Sequence, residues 1–209
     1  QALDTPFKFA VTTEKVDDSR LNGVKLVTPE QGANASKLRE LGLLSPEETS
    51  AARQLKLDRR SGNMTIITDR SECLVIGSDQ TKLGGRLLRV SDADMHATIG
   101  ILAVDDQPLA SSRRMLILHM TNVANSNMVY RDQTRQIIEK IGDLPLLVRK
   151  GSARLTLPAD WSNAKLYAVD LGGKRVAEVP LQRDPDGVSF IAQTHRDTGP
   201  CMVYELVRE

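Results

Sequence analysis

The residues of this chain that could do chemistry are three histidines, two cysteines and several pairs of carboxylates. His96, His119 and His195 are not joined by HxH or HExxH spacing, so the spacing gives no local support to a metal site. His119 lies in the apolar run "LILHMTN", where we favour a core or edge histidine with one hydrogen bond over a catalytic base. We therefore predict no metal ligand and no cofactor.

Carboxylate pairs occur in "DAD" at 92–94, in "VDDQ" at 104–107 and at Glu47–Glu48. A glycosidase needs two carboxylates that flank one glycosidic bond, roughly 5–10 Å apart, whereas adjacent residues on a strand point to opposite faces. "VDDQP" follows a long apolar run and is typical of a turn. We predict no catalytic residue, and an enzyme that combines His119 with Asp105 and Asp106 remains an alternative.

The two cysteines, Cys73 and Cys201, lie in the apolar runs "ECLVIG" and "CMVYELV". One pair is too few for a disulfide framework and lacks the spacing of a metal site. We predict two buried thiols, with a disulfide as the alternative.

Aromatic residues make up only 3% of the chain. Sugar-binding modules stack sugar rings on exposed aromatic side chains, whose surfaces are partly apolar and partly polar. Trp161, in the loop "PADWSNAK", is the one residue placed to form such a platform. We favour a tryptophan that covers the open end of a sandwich, and carbohydrate binding at Trp161 is the alternative.

Composition excludes two classes of partner. The 209 residues include 28 basic and 27 acidic ones, for a net charge of +1, which gives no long-range field to attract nucleic acid or an anionic membrane. No stretch approaches the roughly 18 apolar residues of a membrane helix. The chain begins at Gln1, and we expect either a processed chain or a fragment of a longer protein.

Short apolar runs separated by turn residues dominate the chain from residue 62 onward. "NMTIIT" at 63–68 and "ECLVIG" at 72–77 are rich in β-branched residues, and "DLGGKR" and "DPDG" have the composition of tight turns. The pattern predicts an all-β fold, mainly an antiparallel β-sandwich, with a short helical segment near the N-terminus. In the first of these runs, Met64, Ile66 and Thr68 form the drier face, which we expect on the core.

The predicted sandwich spans residues 57–209, and residues 1–56 are predicted to hold strands and a helical insert or linker packed on it. Ser45, Pro46 and Glu48 match a helix start, with a cap, a proline at the first helical position and a capping-box glutamate. "TRQIIEKIGDLP" at 134–145 fits either one helical face or a bulged strand. A (β/α)8 barrel would need roughly 250 residues and alternating helices, and neither is present.

Several segments resemble a known family. They are "LDRRSGNMTIITDRSECLVIG", "ATIGILAVDDQPLASSRRMLILHMTNVANSNMVY", "GDLPLLVRKGSARLTLP", "KLYAVDLGGKRVAEVP" and the closing "MVYEL". Together they resemble the C-terminal β-domain of large glycoside hydrolases of the cellulase-like (β/α)8-barrel superfamily. The resemblance covers roughly residues 57–207, and its matched positions include Gly62, Gly142, Pro145, Gly151 and Gly173.

The resemblance implies a non-catalytic accessory domain. In that family the catalytic carboxylates belong to the barrel, so no catalytic residue is carried over to this chain, and the matched glycines and proline shape turns. The implied partner is a catalytic barrel of the same polypeptide, with a polysaccharide as the alternative partner. The resemblance also implies a secreted, periplasmic or cell-surface location. A domain of this kind should expose an apolar docking patch.

Overall fold

The computed structural model describes residues 12–15, 24–27, 36, 47–49, 54–58, 61–77, 82–133, 135–185 and 187–208. The chain divides into two compact units, residues 1–60 and 61–209. Among the described residues of the first unit, β1 pairs with β2 and β3 pairs with β4, each pair antiparallel. Their strands are β1 (Thr12–Lys15), β2 (Val24–Val27), β3 (Glu47–Thr49) and β4 (Leu55–Asp58).

The helix predicted to begin at Pro46 is wrong, because Glu47–Thr49 forms a strand. It pairs with β4 in the register Glu47↔Asp58 to Thr49↔Lys56. A capping box contributes only about 1 kcal/mol. Backbone pairing with the segment "LKLD" of β4, in which apolar and charged residues alternate, outweighs that local signal. Ser36 is helical, and the rest of the stretch 28–46 lies outside the described residues.

The second unit is a β-sandwich, which confirms the all-β prediction. Its strands are β5 (Asn63–Ile67), β6 (Ser71–Ile76), β7 (Leu83–Gly84), β8 (Arg89–Ser91), β9 (Ala97–Ala103), β10 (Arg114–Met120), β11 (Val123–Ser126), β12 (Val129–Tyr130), β13 (Ile138–Lys140), β14 (Asp143–Val148), β15 (Ser152–Leu157), β16 (Lys165–Val169), β17 (Arg175–Val179), β18 (Gln182–Asp184), β19 (Gly187–Gln193), β20 (His195–Arg196), β21 (Gly199–Pro200) and β22 (Val203–Val207). A 3-10 turn spans Ala159–Trp161.

Two antiparallel sheets form the layers of the sandwich. Within this unit the large sheet has the order β17-β16-β22-β10-β9-β6-β5, and the small sheet has the order β18-β19-β15-β8-β7. Alternation along the strands places Leu74, Ile99 and Ile117 of the large sheet in one apolar core with Leu155 and Phe190 of the small sheet. The core therefore lies between the sheets, as expected for a sandwich.

Tyr204 links the two layers. Its ring lies 5.4 Å from the Phe190 ring, centroid to centroid. Its hydroxyl donates to the Gln193 carbonyl at 2.7 Å and accepts from the Gln193 N–H at 2.8 Å. Because Tyr204 lies on β22 and Gln193 on β19, these bonds join the large sheet to the small one.

The face of β5 that we expected on the core is the outer one. The register pairs Thr65 with Leu74 and Leu74 with Ile99, so Thr65 shares the core face with two fully buried side chains. Met64 and Ile66 therefore point outward. The outer face of the large sheet is itself apolar, which is why polarity alone misassigned the two faces of this strand. Its half-buried or exposed members include Met64, Ile66, Cys73, Val75, Leu102, Leu116, Leu118, Met120 and Val203.

Both cysteines are free thiols, so the disulfide alternative is not formed. Cys201 is buried as predicted, and Cys73 is half-buried on the outer face of the large sheet. Burial raises the pKa of the Cys73 thiol, which keeps it protonated and unreactive at neutral pH.

Candidate functional site

The alternative catalytic constellation is not brought together. His119 lies near the end of β10, whereas the Asp105 carboxylate accepts from the backbone N–H groups of Arg113 and Arg114 at the start of that strand. Five or six strand residues separate these positions, which corresponds to roughly 15–20 Å. Asp106 is exposed and pairs with Arg70 at 2.9 Å. The histidine and the two carboxylates therefore share no site.

Asp105 has a structural environment of its own. Its carboxylate accepts from Ser112 Oγ at 2.7 Å and from Arg113 N at 2.6 Å. These two hydrogen bonds, the one from Ser112 foremost, lower the pKa of Asp105. The carboxylate thus closes the loop between β9 and β10.

His119 is a core histidine, the interpretation that the sequence favoured. Its side chain is 1% exposed, and its Nδ1 has no hydrogen-bond partner among the described residues. Burial lowers the pKa of His119, against the opposing effects of Asp94 and of a hydrogen bond with the Ala192 backbone. The ring is therefore neutral at pH 7.

Trp161 covers one end of the core. It is 1% exposed, and the Arg208 guanidinium carbon lies 3.7 Å from its ring centroid. Arg208 is fixed in turn by a 2.9 Å ion pair with Asp160. The ring is therefore not an exposed platform, and the carbohydrate-binding alternative loses the residue on which it rested.

Two buried glutamates were missed by the sequence analysis. Glu72, 1% exposed, accepts from the backbone N–H groups of Leu87 at 2.8 Å and Leu88 at 3.0 Å, which fixes the turn between β7 and β8. Glu205, 3% exposed, pairs with Arg114 and Arg175. In sequence each glutamate stands in an ordinary strand pattern, "SECLVI" and "VYELV", and its partners are distant in the chain, so no local signal marks it.

Residues 123–148 of the sandwich unit, which we call the apolar arm, expose many large apolar side chains. The arm consists of two antiparallel ribbons, β11 with β14 and β12 with β13, which belong to neither main sheet. The ambiguous segment 134–145 lies here, and its described part forms strands with register shifts, so the bulged-strand alternative is confirmed. Large apolar side chains are exposed along the arm: Val123, Val129, Ile137, Ile138, Ile141, Leu144, Leu146 and Leu147.

The ribbons of the arm bury little of their own side-chain surface. Every residue from Asp143 to Leu147 is exposed, and so is every residue of β13. Leu144 is 80% exposed and Ile141 is 69% exposed. A two-stranded ribbon is at best marginally stable on its own in water, so a partner that covers these side chains would stabilise the arm.

Backbone geometry defines the path of the arm and its attachment. Gly142 has φ +83, and a Cβ there would collide with the Ser126 carbonyl oxygen, so only glycine fits this turn. At the base, Arg149 N donates to the Asn122 carbonyl at 2.8 Å, and Thr194 Oγ1 donates to the Arg149 carbonyl at 2.9 Å. The sandwich therefore holds the arm at both of its ends.

The described part of the chain contains no cluster of three or more His, Cys, Asp or Glu side chains that could hold a metal ion. Within the same residues, no helix is long and apolar enough to cross a membrane. Comparison with protein-family models, curated proteins and solved structures finds no match. The candidate functional site is thus a surface, the apolar arm, and its function is argued from its physical character.

Proposed function

We propose that the chain is a non-catalytic accessory β-domain of a larger glycoside hydrolase. It packs against a catalytic barrel of the same polypeptide and stabilises it, and the apolar arm is the main docking element. The glycoside hydrolase part of this proposal is supported by the resemblance of the strand and turn segments between residues 57 and 207. The docking part is supported by the exposed side chains of the arm.

The observation that carries the proposal is the exposure of the leucine side chains of β14. Leu144, Leu146 and Leu147 are 80%, 57% and 53% exposed, although the sandwich beside them has a fully buried apolar core. Full burial of a leucine side chain contributes about 2 kcal/mol relative to exposure. Water is therefore an unfavourable environment for these side chains, and a neighbouring domain that covers them gains that free energy.

A domain partner suits this surface better than a glycan. Glycans are recognised by stacking on aromatic rings and by polar hydrogen bonds, whereas the exposed large side chains of the arm are aliphatic. The arm also carries charges of both signs, among them the exposed Arg131–Glu139 pair at 3.2 Å. An apolar centre with a polar rim is the usual anatomy of a protein–protein interface.

The proposal is tested by comparing the isolated chain with the longer polypeptide that contains it. The purified chain should hydrolyse no glycoside from a broad panel. Removal of residues 61–209 from the longer polypeptide should lower the melting temperature of the remaining barrel and should leave its catalytic carboxylates in place. Glycoside hydrolysis by the purified chain, or a barrel that melts at an unchanged temperature, would contradict the proposal.

A further inference from the structure

Two arginines converge on one buried carboxylate at the outer face of the large sheet. The Glu205 side chain is 4% exposed, and its two oxygens accept from Arg114 Nε and Arg175 Nε. The register places Glu205 between Leu116 and Tyr167 on that face. The Arg175 hydrogen bond, assisted by Arg114, lowers the pKa of Glu205 against the opposing effect of burial.

The outward edges of both guanidinium groups remain open. The Arg114 and Arg175 side chains are 61% and 48% exposed, and neither Nη group of either residue bonds to a described residue. The Arg175 guanidinium also lies over the Tyr167 ring, 4.2 Å from its centroid. Each guanidinium has five N–H donors in a fixed plane, so most of these donors are oriented by the protein and available to a ligand.

A hollow of about 290 Å³ adjoins this cluster, and Arg114 and Glu205 belong to its lining while Arg175 lies beside it. Its wall is largely aliphatic, with Leu116, Val169, Leu171 and Val203. Leu171 is 72% exposed at the tip of the turn between β16 and β17. Asp170, the other acidic residue of the lining, directs Oδ1 to the backbone N–H groups of Gly172 at 2.9 Å and Lys174 at 2.8 Å, which closes the turn.

We infer that this hollow is a recognition site for a carboxylate that is attached to an apolar group, supplied by an acidic side chain and its apolar neighbour on a partner protein. Guanidinium donors match a carboxylate in a two-pronged geometry, and the aliphatic wall receives the apolar neighbour. The partner is the barrel of the proposed function, so as an interface the inference rests on that proposal.

The chemistry of the lining favours a protein side chain over an acidic sugar. A uronic acid would offer the same carboxylate, but it would set several hydroxyl groups against Leu116, Val203 and Leu171, which have no hydrogen-bonding side-chain atoms. Burying an unpaired hydroxyl costs about 1–3 kcal/mol. Tyrosine and arginine in a partly apolar setting are also the residue types that dominate binding energy at protein interfaces.

The test is an NMR titration of the purified chain with N-acetyl-leucine, which carries a carboxylate and an isobutyl group. The Nε–H resonances of Arg114 and Arg175 should shift saturably. N-acetyl-leucinamide, which has the same apolar group without the charge, should bind at least tenfold more weakly. The inference is overturned by the absence of a saturable shift, by equal binding of the two compounds, or by tighter binding of glucuronate.

Variants connect the binding to the named residues. Arg114→Gln, which removes the arginine of the lining, should weaken binding of N-acetyl-leucine by at least tenfold. Leu171→Ser should weaken it about threefold and should leave the arginine–glutamate cluster intact. Arg113→Gln is the matched control, because Arg113 is an exposed neighbour that does not line the hollow, and it should bind as the parent chain does. Equal weakening in the control would sink the assignment.

The outcome separates this inference from the proposed function. The titration uses the isolated chain, so it succeeds or fails independently of any docking by the apolar arm. If the hollow binds no carboxylate while removal of the domain still destabilises the barrel, only the inference fails. If the hollow binds N-acetyl-leucine but removal of the domain leaves the melting temperature of the barrel unchanged, the proposed function fails and the binding site stands.

Discussion

Replacing the leucines of the arm by serine is the sharpest test of how the domain docks. The variant Leu144→Ser, Leu146→Ser, Leu147→Ser removes side chains that are 80%, 57% and 53% exposed. Their combined exposed surface equals that of about two leucine side chains. Because the adjacent Leu146 and Leu147 point to opposite faces of the ribbon, a partner that covers both faces contributes about 4 kcal/mol at about 2 kcal/mol each. A loss of that size corresponds to a weakening of docking by roughly a thousandfold.

The assay is calorimetry on two proteins, the isolated chain and the longer polypeptide. In the isolated chain the triple variant should change the free energy of unfolding by no more than about 1 kcal/mol, because surface substitutions have small effects. In the longer polypeptide the same substitutions should lower the melting temperature of the barrel and uncouple the two transitions. They should also make the junction between the two domains easier to cleave with protease.

A control variant separates docking from a general loss of apolar surface. Val104→Ser with Ile191→Ser removes exposed apolar side chains, each 38% exposed, at positions outside the arm. This variant should leave the barrel transition unchanged. If the arm variant and the control behave alike in the longer polypeptide, or if the arm variant leaves the barrel unaffected, the argument from exposed leucines is refuted.

Two further predictions concern Tyr204 and Glu205. Tyr204→Phe should cost about 2–3 kcal/mol, because both backbone groups of Gln193 lose a partner, and an unchanged thermal midpoint would contradict this. Burial raises the pKa of Tyr204 to about 12. The stability that follows from this shift is present below pH 10 and is lost as the pH rises from about 10 through about 12. The parent chain should therefore lose about 3 kcal/mol of unfolding free energy over this range, and Tyr204→Phe should not show this loss. The pKa of Glu205 is lowered, so its contribution is present above about pH 4.3 and is lost as the pH falls through the folded-state pKa. Glu205→Gln should therefore be less stable than the parent chain at pH 7, and urea titrations should show that difference shrinking at acid pH; a constant difference would argue against the ion pairs.

The fold class could be predicted because strand length and turn chemistry are local properties. Runs such as "NMTIIT" and turns such as "DLGGKR" carry their own signals, and the strands β5, β6, β16 and β17 lie where those signals place them. The capping box at Ser45 is also a local signal, but the helix that it predicted is wrong. Glu47–Thr49 forms a strand because it pairs with β4, and the capping residues carry no information about that pairing.

The candidate surfaces could not be predicted because they depend on contacts between distant segments. Glu205, Arg114 and Arg175 lie on three different strands and form two ion pairs. Their spacing along the chain gives no sign of this contact. The leucines of "DLPLLV" have the composition of a core strand, and only the structure places them in solvent. Met64 and Ile66 were assigned to the core because an apolar outer face looks the same in sequence as an inner one.

The most direct test of the central claim is the size of the native protein, measured by immunoblot of the source cells with an antibody raised against this chain. We expect a band several times larger than 23.0 kDa, because the apolar arm is proposed to be covered by a catalytic barrel of the same polypeptide. A single band near 23.0 kDa would contradict it, since the arm would then have no barrel of its own to dock against.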